Sequence, residues 1–268
     1  MLKKLMKKWK LILPLLLLLL AVTIFLLPQP GKEEGLVAQE DVMSISRRSD
    51  YPVSGELQDM YAIADVVLLG QYLEFEEAWN MARNPENPAE ESKTDYFEGH
   101  IYSFAVEQVL KGQAEDEIRI NIPYKRRFSG ELDNAVVENG LIVQEATKFD
   151  PFSVDYLWEF YMEPKPEESC ILFLSYNAEE DRYFPAIEPY MIVCKEDGLL
   201  ELRSNLLLPE EEQQQRFQTE FRTEGGKPLL FEINTSSIED TISGMHMEEF
   251  LLELEGLTEN EAEQIVDD

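Results

Sequence analysis

Between residues 65 and 123 apolar and polar positions alternate in three runs. In DVVLLGQYLEF, Val67, Leu69, Gln71, Leu73 and Phe75 fall on one side of an extended chain, and Val66, Leu68, Gly70 and Tyr72 on the other, because successive side chains of a strand point to opposite faces. Both sides are largely apolar, which predicts a central strand, and Gly70 inside it predicts a bulge or sharp bend. In HIYSFAVEQVL, Tyr102, Phe104 and Val106 alternate with Ser103, Ala105 and Glu107; in EIRINIP, Ile118, Ile120 and Ile122 alternate with Arg119 and Asn121. These two runs predict a hairpin connected by LKGQAEDE. A phosphate-holding loop has repeated glycines leading into a helix N-terminus; this connection has one glycine and leads into a strand.

Elsewhere the pattern is less regular. SGELQDMYAIA places Leu57, Met60, Tyr61 and Ala64 at helical spacing. Residues 78–98, with Asn-Pro twice, predict a long surface loop. Residues 124–169 read as irregular, with an aromatic cluster of Phe149, Phe152, Tyr156, Trp158, Phe160 and Tyr161. CILFLSY and YMIVC predict two more strands, and GLLELRSNL follows. Short strands at this spacing predict an all-β barrel or sandwich. Past Pro209 the chain turns polar. EEEQQQRFQTEFRTEGG predicts a helix or a frayed polar stretch, PLLFEINT a strand, and the capping boxes at Ser236–Glu239 and Thr258–Glu261 each predict a helix start. The tail is therefore expected to be α-rich, packed on the barrel through Phe250, Leu251 and Leu254.

The first residues have a different pattern. Lys3, Lys4, Lys7, Lys8 and Lys10 precede an uncharged apolar run, Leu11 to Leu27. As a helix at about 1.5 Å per residue the run reaches roughly 25 Å, near the lower limit for a bilayer core of about 30 Å. Lysines hold their end in the cytoplasm, so the rest of the chain is expected outside. A cleaved signal peptide is the competing reading. An uncleaved anchor is preferred, because the nearest small-residue site, at Ala38, lies well past the run. The expected organisation is a cytoplasmic segment 1–10, a transmembrane anchor 11–27, a linker 28–50, a small OB-like β-barrel 51–208 and an α-rich extension 209–268.

Charge narrows the partners. With 54 acidic residues against 23 lysines and arginines the net charge is −31, a field that repels nucleic acid and anionic headgroups. At 44% hydrophobic, with 14 phenylalanines, the chain is nonetheless able to build a core.

ADVVLLGQYLEFE, FAVEQVLKG, IRINIP, CILFLSY and YFPAIEPYMIVCKEDG together resemble uncharacterised bacterial extracytoplasmic proteins with a TIMP-like (netrin-like) OB-fold barrel, over about residues 60 to 205. The resemblance implies a fold, which by itself does not give a function. The animal inhibitors of that family bind a protease zinc through an N-terminal cysteine; here no cysteine precedes Cys170, so that mechanism does not carry over.

Few residues suggest chemistry. His100 and His246 stand far apart without neighbouring ligands and are read as structural, and the zinc-protease, nucleophile-elbow and P-loop motifs are absent. No cofactor and no metal site is expected. NAEED (177–181) lacks the alternate spacing and central glycine of a calcium loop. Acidic pairs such as Glu76-Glu77, Glu90-Glu91 and Glu167-Glu168 are too abundant for any one to point to a glycosidase. Placing Cys170 opposite Cys194 sets Leu172 opposite Ile192, which makes the pair a disulfide candidate; two separately buried thiols are the alternative. Lys125, Arg126 and Arg127 form the one basic cluster beyond the N-terminal flank. They are the candidate binding residues, as a docking loop for an acidic partner, unless the chain's own carboxylates pair with them. The expected function is binding or sensing without catalysis, through a membrane anchor and a protein or envelope-component partner. A carboxylate-based hydrolase of envelope polymers and an accessory subunit of a membrane assembly are the alternatives.

Overall fold

The computed structural model describes residues 43–266 except 134–135, 139–140 and 145–147. The fold is mainly β. In chain order the strands are β1 (Met43–Arg48), β2 (Val66–Asn80), β3 (Arg83–Asn84), β4 (Asn87–Glu91), β5 (Phe97–Lys111), β6 (Glu117–Asp133), β7 (Val136–Glu138), β8 (Leu141–Gln144), β9 (Phe149–Leu157), β10 (Ser169–Asn177), β11 (Arg182–Pro185), β12 (Met191–Cys194), β13 (Leu200–Arg203), β14 (Gln218–Arg222) and β15 (Pro228–Asn234). The helices are α1 (Leu57–Ile63), α2 (Glu210–Phe217) and α3 (Met247–Val266).

Strands β2, β5 and β6 pair antiparallel in sequence order, and β10 lies antiparallel on the other side of β2. Strand β11 folds back on β10 and meets β6 in parallel at Tyr183 and Ile120, so the path β2-β5-β6-β11-β10 returns to its start. Strands β12 and β13 continue outward from β10, and β9 lies along the second half of β6. A separate three-stranded sheet joins β1 parallel to β15, with β14 beyond.

The two faces of β2 supply two cores. Val66, Leu68 and Tyr72 pack with Phe104, Ile118, Ile120, Leu172 and Leu174 in one, while Val67 packs with Met60, Ile171, Phe173, Ile192 and Phe250 in the other. Helices α1 and α3 cover the second core, and Phe250 and Leu254 are buried as the helical spacing predicts. The bulge predicted at Gly70 is present as a register shift between Leu69 and Gly70. A Cβ at that glycine would stand 2.0 Å from the Ala105 carbonyl oxygen and 2.7 Å from the Phe104 ring. The predicted hairpin is also present: β5 and β6 pair from Phe97–Arg126 to Ala105–Glu117. Past Ala105, β5 runs on along β2 to the Val67–Lys111 pair and ends at Gly112, whose φ is +76°. LKGQAEDE thus serves as a strand end and turn.

Several expectations need correction. The linker 28–50 is not all spacer, because Met43–Arg48 is the strand β1; residues 28–42, like the anchor 11–27 and the basic segment 1–10, lie outside the described residues. Among the described residues no helix is long and apolar enough to cross a membrane. The predicted loop 78–98 contains the end of β2, the small β3–β4 hairpin and the start of β5. The Asn80 side chain ties it together, accepting from the Ala82 and Phe97 amides at 3.1 and 3.0 Å. The region 124–169 contains most of β6 and all of β9, and in the extension 209–268 the strand β14 stands in the segment EEEQQQRFQTEFRTEGG, while β15 is the strand predicted at PLLFEINT. Residues 236–239 do not start a helix, and Thr258 lies inside α3, where its hydroxyl donates to the Leu254 carbonyl at 3.0 Å.

Candidate functional site

Strands β2, β5 and β6 each have a neighbour on both sides, so the face they share offers side chains only, its backbone groups being taken by the ladders. On that face Tyr72, His100, Tyr102 and Tyr124 line a cleft of about 930 Å³ together with Phe75, and Leu157, Tyr161 and the segment Met162–Pro166 form another part of its lining. Glu201 and Arg203 of β13, Asn205 of the 3-10 turn Asn205–Leu207, and Arg216 of α2 complete it. Small-molecule sites have volumes of about 300 to 1,000 Å³, so this cleft stands at the upper end.

The rings form a connected set. His100 stacks on Tyr124 with centroids 3.8 Å apart and planes 21° from parallel, and Tyr161 meets Tyr124 edge-on at 4.7 Å. Phe75 packs against His100 at 5.2 Å and Tyr102 at 5.6 Å. Edge-on and offset contacts of this kind contribute about 0.5–1.5 kcal/mol each beyond area burial. Tyr102 and Tyr161 join through their hydroxyls at 3.0 Å, and burial pushes both phenols up, keeping them protonated. Phe75 and Leu157 remain 49% and 42% exposed at the lip, an apolar edge beside a floor that is nearly closed.

Polar groups are few and specific. His100 Nε2 lies 3.0 Å from Glu98 Oε1, and Tyr96 donates to the same carboxylate. A carboxylate only accepts, so in the neutral ring Nε2 has the proton and Nδ1 is an acceptor; Nδ1 is buried and has no partner among the described residues. Arg216 donates to the Tyr161 carbonyl through its terminal nitrogen, while its Nε is buried and also unpartnered. Arg203 is held by Glu168 in a two-pronged pair, and Glu201 by Lys195 at 2.9 Å. Behind Arg216 lies Glu188, 1% exposed, whose carboxyl is pushed by burial to about 8, opposed by the hydrogen bond from Ser204 at 2.5 Å.

The predicted basic cluster is elsewhere and differently built. Lys125, Arg126 and Arg127 lie within strand β6 and not in a loop. Arg127 faces Asp155 across the β6–β9 ladder and grips it at 2.7 and 3.1 Å, with Lys125 3.5 Å from the same carboxylate. Arg126 lies 5.3 Å over the Phe97 ring, and Arg127 5.4 Å over Tyr96. The hydrogen bond from Arg127 holds the Asp155 carboxyl below its ordinary range. The cluster is thus paired inside the chain.

The cysteine register is also off by one. Cys170 faces Val193, Ile171 faces Ile192 and Leu172 faces Met191, and a one-residue slip moves side chains to the opposite face. Accordingly Cys170 is buried in the core with Leu68, whereas Cys194 packs against the core with Ile171; both thiols are free. The NAEED segment is the turn from β10 to β11, fixed by Asn177 accepting from the Glu179 amide at 3.0 Å. Among the described residues no group of three or more His, Cys, Asp or Glu is placed to hold a metal ion. His246, exposed, accepts the Phe250 amide at the start of α3.

The sequence pattern marks Tyr72, Tyr102 and Tyr161 only as alternating or clustered aromatics and Tyr124 only as a flank of the basic cluster, and His100 is read from it as structural. The available signal was chemical: Tyr72, Tyr102 and Tyr124 put polar-tipped rings on an inward face that Phe104 and the isoleucines fill with hydrocarbon alone. No family model matches this chain, and neither a curated protein nor a solved structure matches it.

Proposed function

We propose that this chain is a membrane-tethered, extracytoplasmic binding or sensing protein built on an OB-like barrel of the TIMP-like kind, with the ring-lined cleft as its binding site. The observation that carries the reading is the cleft itself: about 930 Å³, a buried aromatic floor, and an exposed apolar lip at Phe75 and Leu157. The returning path β2-β5-β6-β11-β10 supports the barrel, and the five lysines before Leu11 support the tether and its direction. A hydrolase is the second reading, because Glu74, Glu163 and Glu201 line the same cleft. Glu74 and Glu163 are exposed and Glu201 is engaged by Lys195, however, so none has the apolar enclosure that makes a general acid.

The test is ligand-linked stability, since a ligand at a hundred times its Kd adds roughly 2.7 kcal/mol. Fractionated cell-envelope components are added to the full chain, and the thermal midpoint is followed beside that of the Phe75→Ala, Leu157→Ser variant. At least one fraction raises the midpoint of the parent and not of the variant. Equal shifts in both, or none in either, would remove the cleft as the site; hydrolysis of a stabilising component would move the protein to the second reading.

A further inference from the structure

The lining of the cleft narrows the chemical class of its ligand; this step rests on the cleft being the binding site. Three classes can be weighed. An extended peptide binds by adding to a strand edge, but β2, β5 and β6 have no open edge at the cleft. An anion faces a chain of net charge −31, and the cleft's Arg203 is already taken by Glu168. An organic cation would suit the rings and the exposed Glu74 and Glu163, yet Arg216 and Lys165 line the same space. With Arg203 and Glu201 engaged, two carboxylates remain against two cations, so the lining favours neither sign.

Three buried groups of the lining remain unmet among the described residues: one acceptor, one donor and the Tyr72 hydroxyl, which can act as either. His100 Nδ1 needs a proton, and Arg216 Nε offers one. Both residues touch Tyr161: His100 by ring contact at 5.8 Å, and Arg216 through the Tyr161 carbonyl. Buried polar groups are nearly always paired, and leaving one unmet is costly. Hydroxyls both donate and accept, so a ligand bearing several of them satisfies groups of both kinds at once. The rings meanwhile present flat, weakly polar surface against which the C–H face of a saturated ring packs. From these observations we infer that the cleft takes a neutral saccharide unit of an envelope or extracellular glycan, its hydroxyls on His100 and Arg216 and its carbon face on the aromatic floor.

The experiment titrates the full chain with a panel of neutral and amino-sugar oligosaccharides of two to six units, with a lysine-rich and an acidic peptide alongside, by calorimetry. At least one neutral oligosaccharide binds, and the affinity falls about tenfold or more in His100→Phe, which keeps the ring on Tyr124 and removes the acceptor, and likewise in Arg216→Met. Circular dichroism confirms that each variant is folded; where one is not, the other decides. Binding unchanged in both variants overturns the assignment, as does absence of neutral-saccharide binding. If a peptide binds instead and loses affinity in Phe75→Ala, Leu157→Ser, the cleft keeps its binding role and only the saccharide class falls. A saccharide that binds the parent and that lip variant equally removes both.

Discussion

Replacing Glu188 by glutamine isolates one buried carboxyl. Its pKa rises from an ordinary 4.5 to about 8 through burial, with Glu159 adding to the rise and Ser204 and Arg216 opposing it. Between those two pH values the folded chain holds a proton that the unfolded chain has released. The contribution of this group to stability is therefore complete below pH 4.5 and is lost as pH climbs to about 8. Each pH unit in that window is equivalent to about 1.4 kcal/mol, so the whole interval amounts to something on the order of 5 kcal/mol and the loss by pH 7 to roughly 3 kcal/mol. Glutamine is neutral throughout, nearly isosteric, and still accepts the Ser204 hydroxyl. Urea unfolding of both chains from pH 4 to 9 gives the assay. The variant's advantage over the parent grows with pH from about 5 to 8 and then levels, while other titrating groups cancel in the difference. A difference curve that is flat across that window, or one that grows as pH falls, would refute the reasoning.

Gly70→Ala sets a methyl 2.0 Å from the Ala105 carbonyl oxygen; unfolding experiments show a loss on the order of 2–4 kcal/mol, and a neutral effect would mean that β2 and β5 do not approach as described. Native-state alkylation followed by mass spectrometry labels Cys194, which is partly exposed, well before Cys170, which is 1% exposed and whose thiol burial pushes up; a Cys170–Cys194 bridge in unreduced protein contradicts the register. Changing Lys125, Arg126 and Arg127 to glutamine together lowers the urea midpoint modestly, by less at high salt, because exposed ion pairs are weak and screened. The same variant binds the cleft's ligand as the parent does, and loss of that binding would return the strand to the functional surface.

What the sequence conveyed, and what it hid, follows from where each signal lies. Alternation in β2, β5, the first half of β6 and β10 survived into the structure because each of them buries at least one face over much of its length, and a one-residue slip would turn that face out to solvent. The alternation of Phe152, Val154 and Tyr156 with Ser153, Asp155 and Leu157 in β9 is equally regular, but prolines and acids nearby made the stretch read as irregular. Strand β1 was hidden for another reason: its partner β15 lies some 186 residues away in the Met43–Leu229 pair, and nothing local announces a parallel pairing at that distance. The one-residue error at Cys170 shows the limit of counting inward from two apolar strands. The turn between them holds the β11 strand as well, and β11 takes up part of β10 from Leu174 onward, so symmetry about the turn was the wrong constraint.

The site was illegible for a related reason. Charge drew the eye to Lys125, Arg126 and Arg127, yet a cation in a strand of so acidic a chain finds a cross-strand carboxylate, as Arg127 finds Asp155. Neutral rings carry no such partner in the sequence. Tyr72, His100, Tyr102 and Tyr124 come from three strands and meet only because β2, β5 and β6 are adjacent, and Tyr161 and Arg216 join them from segments that the fold brings over the same face. If the cleft is a binding site, the buried polar groups left unpaired in its lining, His100 Nδ1, Arg216 Nε and the Tyr72 hydroxyl, therefore say more about the ligand than the most strongly charged surface does.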